Sequence, residues 1–183
     1  MTGPAKWPGL LKAMMLGLGP PLLLSGCSVQ KTTEAAAPLP REARWALLPM
    51  LNHTESPQAG LRAEVITEAL LRSRGIGNLV LYPPSLSPDA LLEPAERKVQ
   101  DEARKWAREQ GARYGVQGAV DEWRYKVGVD GEPAVGVALQ IIDLQSGEVL
   151  WTGVGARSGW SREALAAVAQ KLIDGLLASA RIQ

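Results

Sequence analysis

The chain contains no phenylalanine, one histidine and one cysteine in 183 residues. A lone cysteine cannot close an internal disulfide, and one cysteine does not make a metal site. With His53 the single histidine, a His-x-x-x-His metal pair is impossible. No Gly-x-Ser-x-Gly elbow surrounds a serine and no glycine loop is shaped to cradle phosphate, so no cofactor is expected. Charge is balanced, with 20 basic residues against 19 acidic ones. That balance gives no reason to expect nucleic-acid binding or a polybasic membrane patch. No internal repeat is present, and no apolar run approaches the roughly 20 residues of a spanning helix. Asp and Glu are plentiful enough for a two-carboxylate glycosidase, yet nothing in the sequence points to a pair. Tryptophan, with six copies, carries most of the aromatic load.

What is present begins with a leader. Lys6 and Lys12 give a basic start, and Met14 to Leu24 form an apolar stretch broken by Gly17, Gly19 and Pro20-Pro21. This is the layout of a secretory signal. It closes on Leu24-Ser25-Gly26-Cys27, where small residues admit a peptidase and the thiol can take a diacylglyceryl group. Residues 1–26 are therefore expected to be removed as a lipoprotein signal peptide. Cys27 becomes the acylated first residue, since several acyl chains hold a protein far more firmly than one. Ser28, where aspartate favours inner-membrane retention, suggests the outer membrane facing the periplasm.

Residues 27–43 read as the lipidated cysteine and a flexible Ala/Pro/Thr-rich tether, and 44–183 as a single domain. Arg44 to Met50 is the first expected strand, with Pro49 marking a strand terminus or sheet edge. Ser56 and Pro57 should start a helix whose buried stripe is Leu61, Val65, Ile66, Ala69 and Leu70, stopped by Gly75. Leu79 to Tyr82 is a short strand ended by Pro83-Pro84. A helix comes next over about Pro94 to Gln110, with Ala95, Val99, Ala103, Trp106 and Ala107 on one side. Three strands then come in succession, Tyr114–Val127, Ala134–Asp143 and Glu148–Arg157, with turns at Asp130-Gly131 and Ser146-Gly147. A last helix from Ser161 carries the strongest apolar stripe, Leu165 to Leu177. The order β-α-β-α-β-β-β-α predicts an α/β fold, a mixed sheet with helices packed on it.

Strand alternation puts Asp121, Trp123 and Tyr125 on one face. A carboxylate beside aromatic rings suits a sugar, because rings stack on its C–H faces and the carboxylate attracts an ammonium group. The same pattern also fits a solvated edge with partly buried rings. Gly136, Ala138 and Gln140 on one strand, and Gly153 and Gly155 on the next, make faces of small residues. Either a helix of the same domain or another subunit approaches them closely. Trp151 fits a core position or a membrane–water interface equally. His53, between Asn52 and Thr54, reads as a residue that holds a loop by hydrogen bonding.

The lipobox, the segment Trp45-Ala-Leu-Leu-Pro-Met-Leu-Asn-His-Thr54 and the Asp143-Leu-Gln-Ser-Gly-Glu-Val-Leu-Trp151 run resemble the PelC family over Arg44 to Ile182. These are outer-membrane lipoproteins of Pel exopolysaccharide secretion, similar in fold to the TolB amino-terminal domain. The resemblance implies a non-enzymatic homo-oligomer, a dodecameric ring under the outer membrane. Its acidic funnel would guide a cationic amino-sugar polymer towards a PelB-like β-barrel. It further implies that Asp121 is the funnel carboxylate and Trp151 the membrane-proximal belt; Glu122 is weaker, since alternation puts it on the opposite face, and Trp123 and Tyr125 are weaker candidates on the strand face alone. Two other classes compete. One is a lipoprotein activator of a peptidoglycan synthase, which a tether reaching at most roughly 50 Å disfavours. The other is a polysaccharide-modifying enzyme.

Overall fold

A computed structural model describes Gly3 and residues 28–33, 37–83, 93–128 and 131–183. Cys27 with the leader before it, Pro84, Asp130 and the side chain of Ala95 lie outside the described residues. The elements are β1 (Ser28–Thr32), β2 (Trp45–Asn52), α1 (Ala59–Ser73), β3 (Leu79–Leu81), α2 (Glu93–Glu109), β4 (Tyr114–Tyr125), β5 (Pro133–Asp143), β6 (Val149–Ser158) and α3 (Leu165–Leu177). They build one six-stranded mixed sheet in the order β1-β6-β5-β4-β2-β3. The expected α/β class is correct. Strands β3, β2 and β4 run parallel, joined through helices, and β4 to β6 form the antiparallel meander.

The first strand is the main addition to the expected order. Ser28–Thr32, read from its polar composition as part of a flexible tether, pairs antiparallel with β6, Ser28 opposite Arg157 and Thr32 opposite Gly153. Further along that segment the chain is also fixed. Leu39 is buried and bridges to Ile182, and the Trp45 indole donates to the Pro40 carbonyl at 3.1 Å.

Pro49 does not end its strand. β2 lies between β4 and β3 and continues to Asn52, with its register against β4 shifting between Leu47 and Met50. Helix side chains complete the hydrogen bonding at this break. The Met50 N–H donates to Glu64 of α1 at 2.8 Å, and Gln100 of α2 donates to the Pro49 carbonyl at 2.8 Å. Glu64 is half-buried there, and burial pushes its carboxyl up to about 6 against the opposite pull of the Met50 N–H.

Both outer helices start later than expected. α1 begins after Gln58, which is left-handed (φ 60°) and makes no side-chain cap; the Ser56 hydroxyl donates instead to the Trp123 carbonyl. Its buried residues are Ala59, Gly60, Ala63, Thr67, Leu70 and Leu71, so Leu61 (40% exposed) and Val65 (67%) face outward. Small residues let the first turns of α1 lie close to β2, while Leu70 and Leu71 fill the core at its far end. α3 begins at Leu165 rather than Ser161, and the Leu165 N–H donates to the Tyr125 hydroxyl at 3.2 Å. Just before it, Glu163 accepts from Lys171 at 2.6 Å and from the Trp160 N–H at 3.1 Å, contacts that hold its carboxyl below the usual range. The α3 stripe falls as expected from Val168 to Leu177, packing on β5 and β6. Gly75, Gly111 and Gly147 take left-handed conformations at the ends of α1, α2 and β5, where such a turn is required.

Candidate functional site

Asp121 sits where β4 breaks its alternation. The pairing of β4 with β5 runs Val120↔Val137 and then Glu122↔Gly136, so Asp121 is an extra residue with no partner across the ladder. A bulge of this kind re-aims a side chain and reverses the inside–outside alternation of the residues after it. Hence Val120 and Trp123 both face the core, and the expected common face of Asp121, Trp123 and Tyr125 does not form.

The bulged carboxylate meets the loop after β2. Asn52 organises that loop: its Oδ1 accepts from the Thr54 N–H (3.1 Å) and hydroxyl (2.8 Å), and its Nδ2 donates to the Ser56 carbonyl (2.9 Å). Asx turns of this type fix a short loop without a core. The His53 N–H donates to the Val120 carbonyl at 3.0 Å, clamping the loop to β4. Its ring Nδ1 lies 2.9 Å from Asp121 Oδ1, with the two side chains 44% and 53% exposed. His53 therefore holds a loop by hydrogen bonding, as read from the sequence, and the group it holds against is Asp121.

The aromatic candidates separate. Trp123 is buried in the core beneath α1 and α3, so its ring cannot stack on a sugar in solvent. Tyr125 is 52% exposed, with its hydroxyl engaged at the start of α3. Trp151 has no exposed surface, and its indole donates to the Ser179 hydroxyl at 3.1 Å. A side chain sealed inside one domain cannot line a membrane belt, and Trp151 is a core residue. Among the described residues the exposed tryptophan is Trp160, just after β6. Sequence reading missed it because nothing local separates it from a core tryptophan.

Two glycine positions resolve the small-residue faces. A Cβ at Gly153 would meet the Trp151 ring at 2.6 Å and Leu176 of α3 at 3.4 Å, and one at Gly155 would meet Leu172 of α3 at 2.9 Å. The helix reading therefore holds for these two. Gly136 meets Glu122 at 3.3 Å across the bulge, and Ala138 and Gln140 line a groove of about 620 Å³ on the opposite face of the sheet. Arg97, Gln100, Asp101 and Arg104 of α2 form its wall. Arg104 donates to Gln117, which donates to Gln140, so these polar groups hold one another. Among the described residues no group of three or more His, Cys, Asp and Glu side chains is placed to hold a metal ion. No described helix is long and apolar enough to cross a membrane.

Fold and site together define a small mixed α/β domain with an exposed carboxylate–imidazole pair at one end of its sheet. Lipoprotein GNA1162 from Neisseria meningitidis shares this fold (TM-score 0.51, 16% identity, 74% of this chain and 96% of that chain). Much nearer is a PelC dodecamer from Paraburkholderia phytofirmans in space group P6, with 38% identity and a TM-score of 0.72 over 86% of this chain and 99% of that one. A Leu-to-Met variant of that PelC dodecamer in space group C2 gives 39% identity and a TM-score of 0.73 over 86% and 100%. The chain belongs to the PelC family. No family model matches it, and no curated protein does either.

Proposed function

We propose that the protein is a non-enzymatic component of Pel exopolysaccharide export. In this reading it is a lipoprotein held through acylated Cys27 on the periplasmic face of the outer membrane. Copies assemble into a ring whose Asp121 carboxylates guide a cationic amino-sugar polymer to an outer-membrane β-barrel. The carrying observation is the identity of more than a third with PelC across nearly the whole of that relative. Asp121 suits the role because it is half-exposed, set on a bulge and fixed by His53. A polymer in transit needs weak, repeated attraction, and one carboxylate per copy in a ring supplies that without a tight site.

Geometry also supports an orientation. Cys27 directly precedes Ser28, which pairs with Arg157 near the end of β6, so an acyl anchor leaves almost no slack. Trp160, 48% exposed, stands three residues after Arg157, and exposed tryptophan suits a membrane–water interface. Asp121 lies between the levels of Gly136 and Val137, which β6 links to Val29 and Gln30 of β1. Ser28, next to the proposed anchor, thus shares one end of the sheet with Trp160 and Asp121. That compactness disfavours an activator reaching across the periplasm to a synthase. Replacing Asp121 by Asn in the secreting organism tests the reading. Secreted polymer should fall several-fold while the protein stays abundant and membrane-bound; unchanged secretion would remove the guiding role.

A further inference from the structure

Helix α2 packs on β2 and leaves beside it the groove of about 620 Å³ that runs over β4, β5 and β6. Gln100 lines this groove from α2 and is itself buried, with 8% of its surface exposed. Its Nε2 donates to the Pro49 carbonyl at 2.8 Å. A carbonyl only accepts, so this bond fixes which end of the amide is which. The oxygen at the other end, Gln100 Oε1, is buried and has no hydrogen-bond partner. Nearly all buried polar atoms are paired, and an unpaired acceptor on the wall of an open groove calls for a ligand that brings a donor.

The remaining polar groups specify that ligand further. Arg104 Nε donates to Gln117 Oε1 at 3.0 Å, and Gln117 Nε2 donates to Gln140 Oε1 at 2.9 Å. Both glutamine oxygens are therefore in use, and the chain ends on Gln140 Nε2, a donor. Arg97 adds further donors at the same groove. Arg97 and Arg104 outnumber Asp101 there, which opposes an ammonium group, whereas the lone acceptor at Gln100 opposes a carboxylate. The floor is Gly118, Ala119 and Ala138, small residues on which a ring can lie closely. We propose that the groove binds an uncharged N-acetylated sugar unit. Its acetamido N–H donates to Gln100 Oε1, and its carbonyl and hydroxyl oxygens accept from Gln140 and Arg97. This assignment rests on the proposed export role and adds a second site to it. Asp121 follows Ala119 by two residues, about 7 Å along β4. An uncharged unit in the groove thus leaves the next unit of the same polymer near the carboxylate.

Calorimetric titration of the full chain in detergent tests the groove with three probes: an N-acetylglucosamine trimer, its deacetylated form and a galacturonate trimer. The acetylated trimer should bind the wild type. Ala138→Leu fills the floor from a half-buried position without removing a hydrogen bond, so the fold should survive and this binding should be lost. Gln100→Leu should weaken it about three- to tenfold, the worth of one hydrogen bond. The deacetylated trimer is directed to Asp121 and should bind Ala138→Leu as well as it binds the wild type. An acetylated trimer that fails to bind, or that binds folded Ala138→Leu unchanged, overturns the proposal. Tighter binding of galacturonate that Ala138→Leu abolishes also overturns it. So does break-up of the homo-oligomer by Ala138→Leu in light scattering, since a neighbouring copy would then fill the groove. Any of these results together with secretion lowered by Asp121→Asn leaves the export role standing. Acetylated-trimer binding that Ala138→Leu abolishes supports the groove even where Asp121→Asn secretes normally.

Discussion

At position 121 the strand carries one residue more than its neighbour, and that local excess frees a carboxylate from the sheet. Because the His53–Asp121 pair is about half-exposed, its worth to stability is at most about 1 kcal/mol. Asp121→Asn should accordingly shift a urea midpoint very little while lowering secretion, which separates guidance from folding. Trp151 behaves in the opposite way. Its ring is sealed against Gly153 and bonded to Ser179, so Trp151→Ala should cost about 3–5 kcal/mol by urea denaturation. A variant as stable as the wild type would mean that the ring is not in the core. Glu64 provides a pH test. With its folded pKa raised from 4.5 to about 6, the native state binds the extra proton between those values. Stability from this group is therefore present at low pH and lost as pH rises through 6, by up to about 2 kcal/mol. Glu64→Gln keeps an acceptor for the Met50 N–H and should remove that slope. Stability curves at pH 5 and pH 7.5 that stay parallel for the two proteins would show the carboxyl to be ordinary.

At the scale of elements, legibility tracked whether a segment carries its own periodic signal. α3 could be read because Val168, Ala169, Leu172, Ile173, Leu176 and Leu177 are large enough to mark its inner face. α1 misled in its first two turns, where the inner face is made of Ala59, Gly60, Ala63 and Thr67 and the bulky Leu61 and Val65 point outward, whereas Leu70 and Leu71 turn into the core. Close approach explains the choice: a Cβ at Gly60 would collide with the Met50 carbonyl oxygen. Gly60→Ala should thus destabilise the fold despite alanine's advantage of about 1 kcal/mol in a helix, a sign that thermal melting reads directly. β1 was illegible for another reason. Ser28-Val-Gln-Lys-Thr32 is polar and short, and it becomes a strand only because β6 offers an open edge. The bulge at Asp121 was hidden likewise, since its cause is the pairing with β5 and not the sequence of β4. Asp121 was singled out on a face that it does not share with Trp123 and Tyr125, and its partner His53 was read only as a loop holder.

Taken as a whole, the molecule in the proposed reading couples attachment to aim. A tether of some 15 free residues would let a domain turn beneath an anchor, whereas a strand that starts at Ser28 would tie an acyl group on Cys27 to one end of the sheet. If aim matters, slack should harm export even when attachment is intact. Inserting about 15 Gly/Ser residues between Cys27 and Ser28 would add a root-mean-square reach of roughly 20 Å. The acyl signal and β1 are both preserved in that variant, so membrane fractionation should recover the protein with the outer membrane as before. Secreted polymer should nevertheless fall several-fold, because Trp160 and the Asp121 carboxylates would no longer be held at a fixed height below the exporter. Full secretion by the long-tethered protein would mean that the ring finds its place through the barrel alone, with lipid serving only to keep it nearby.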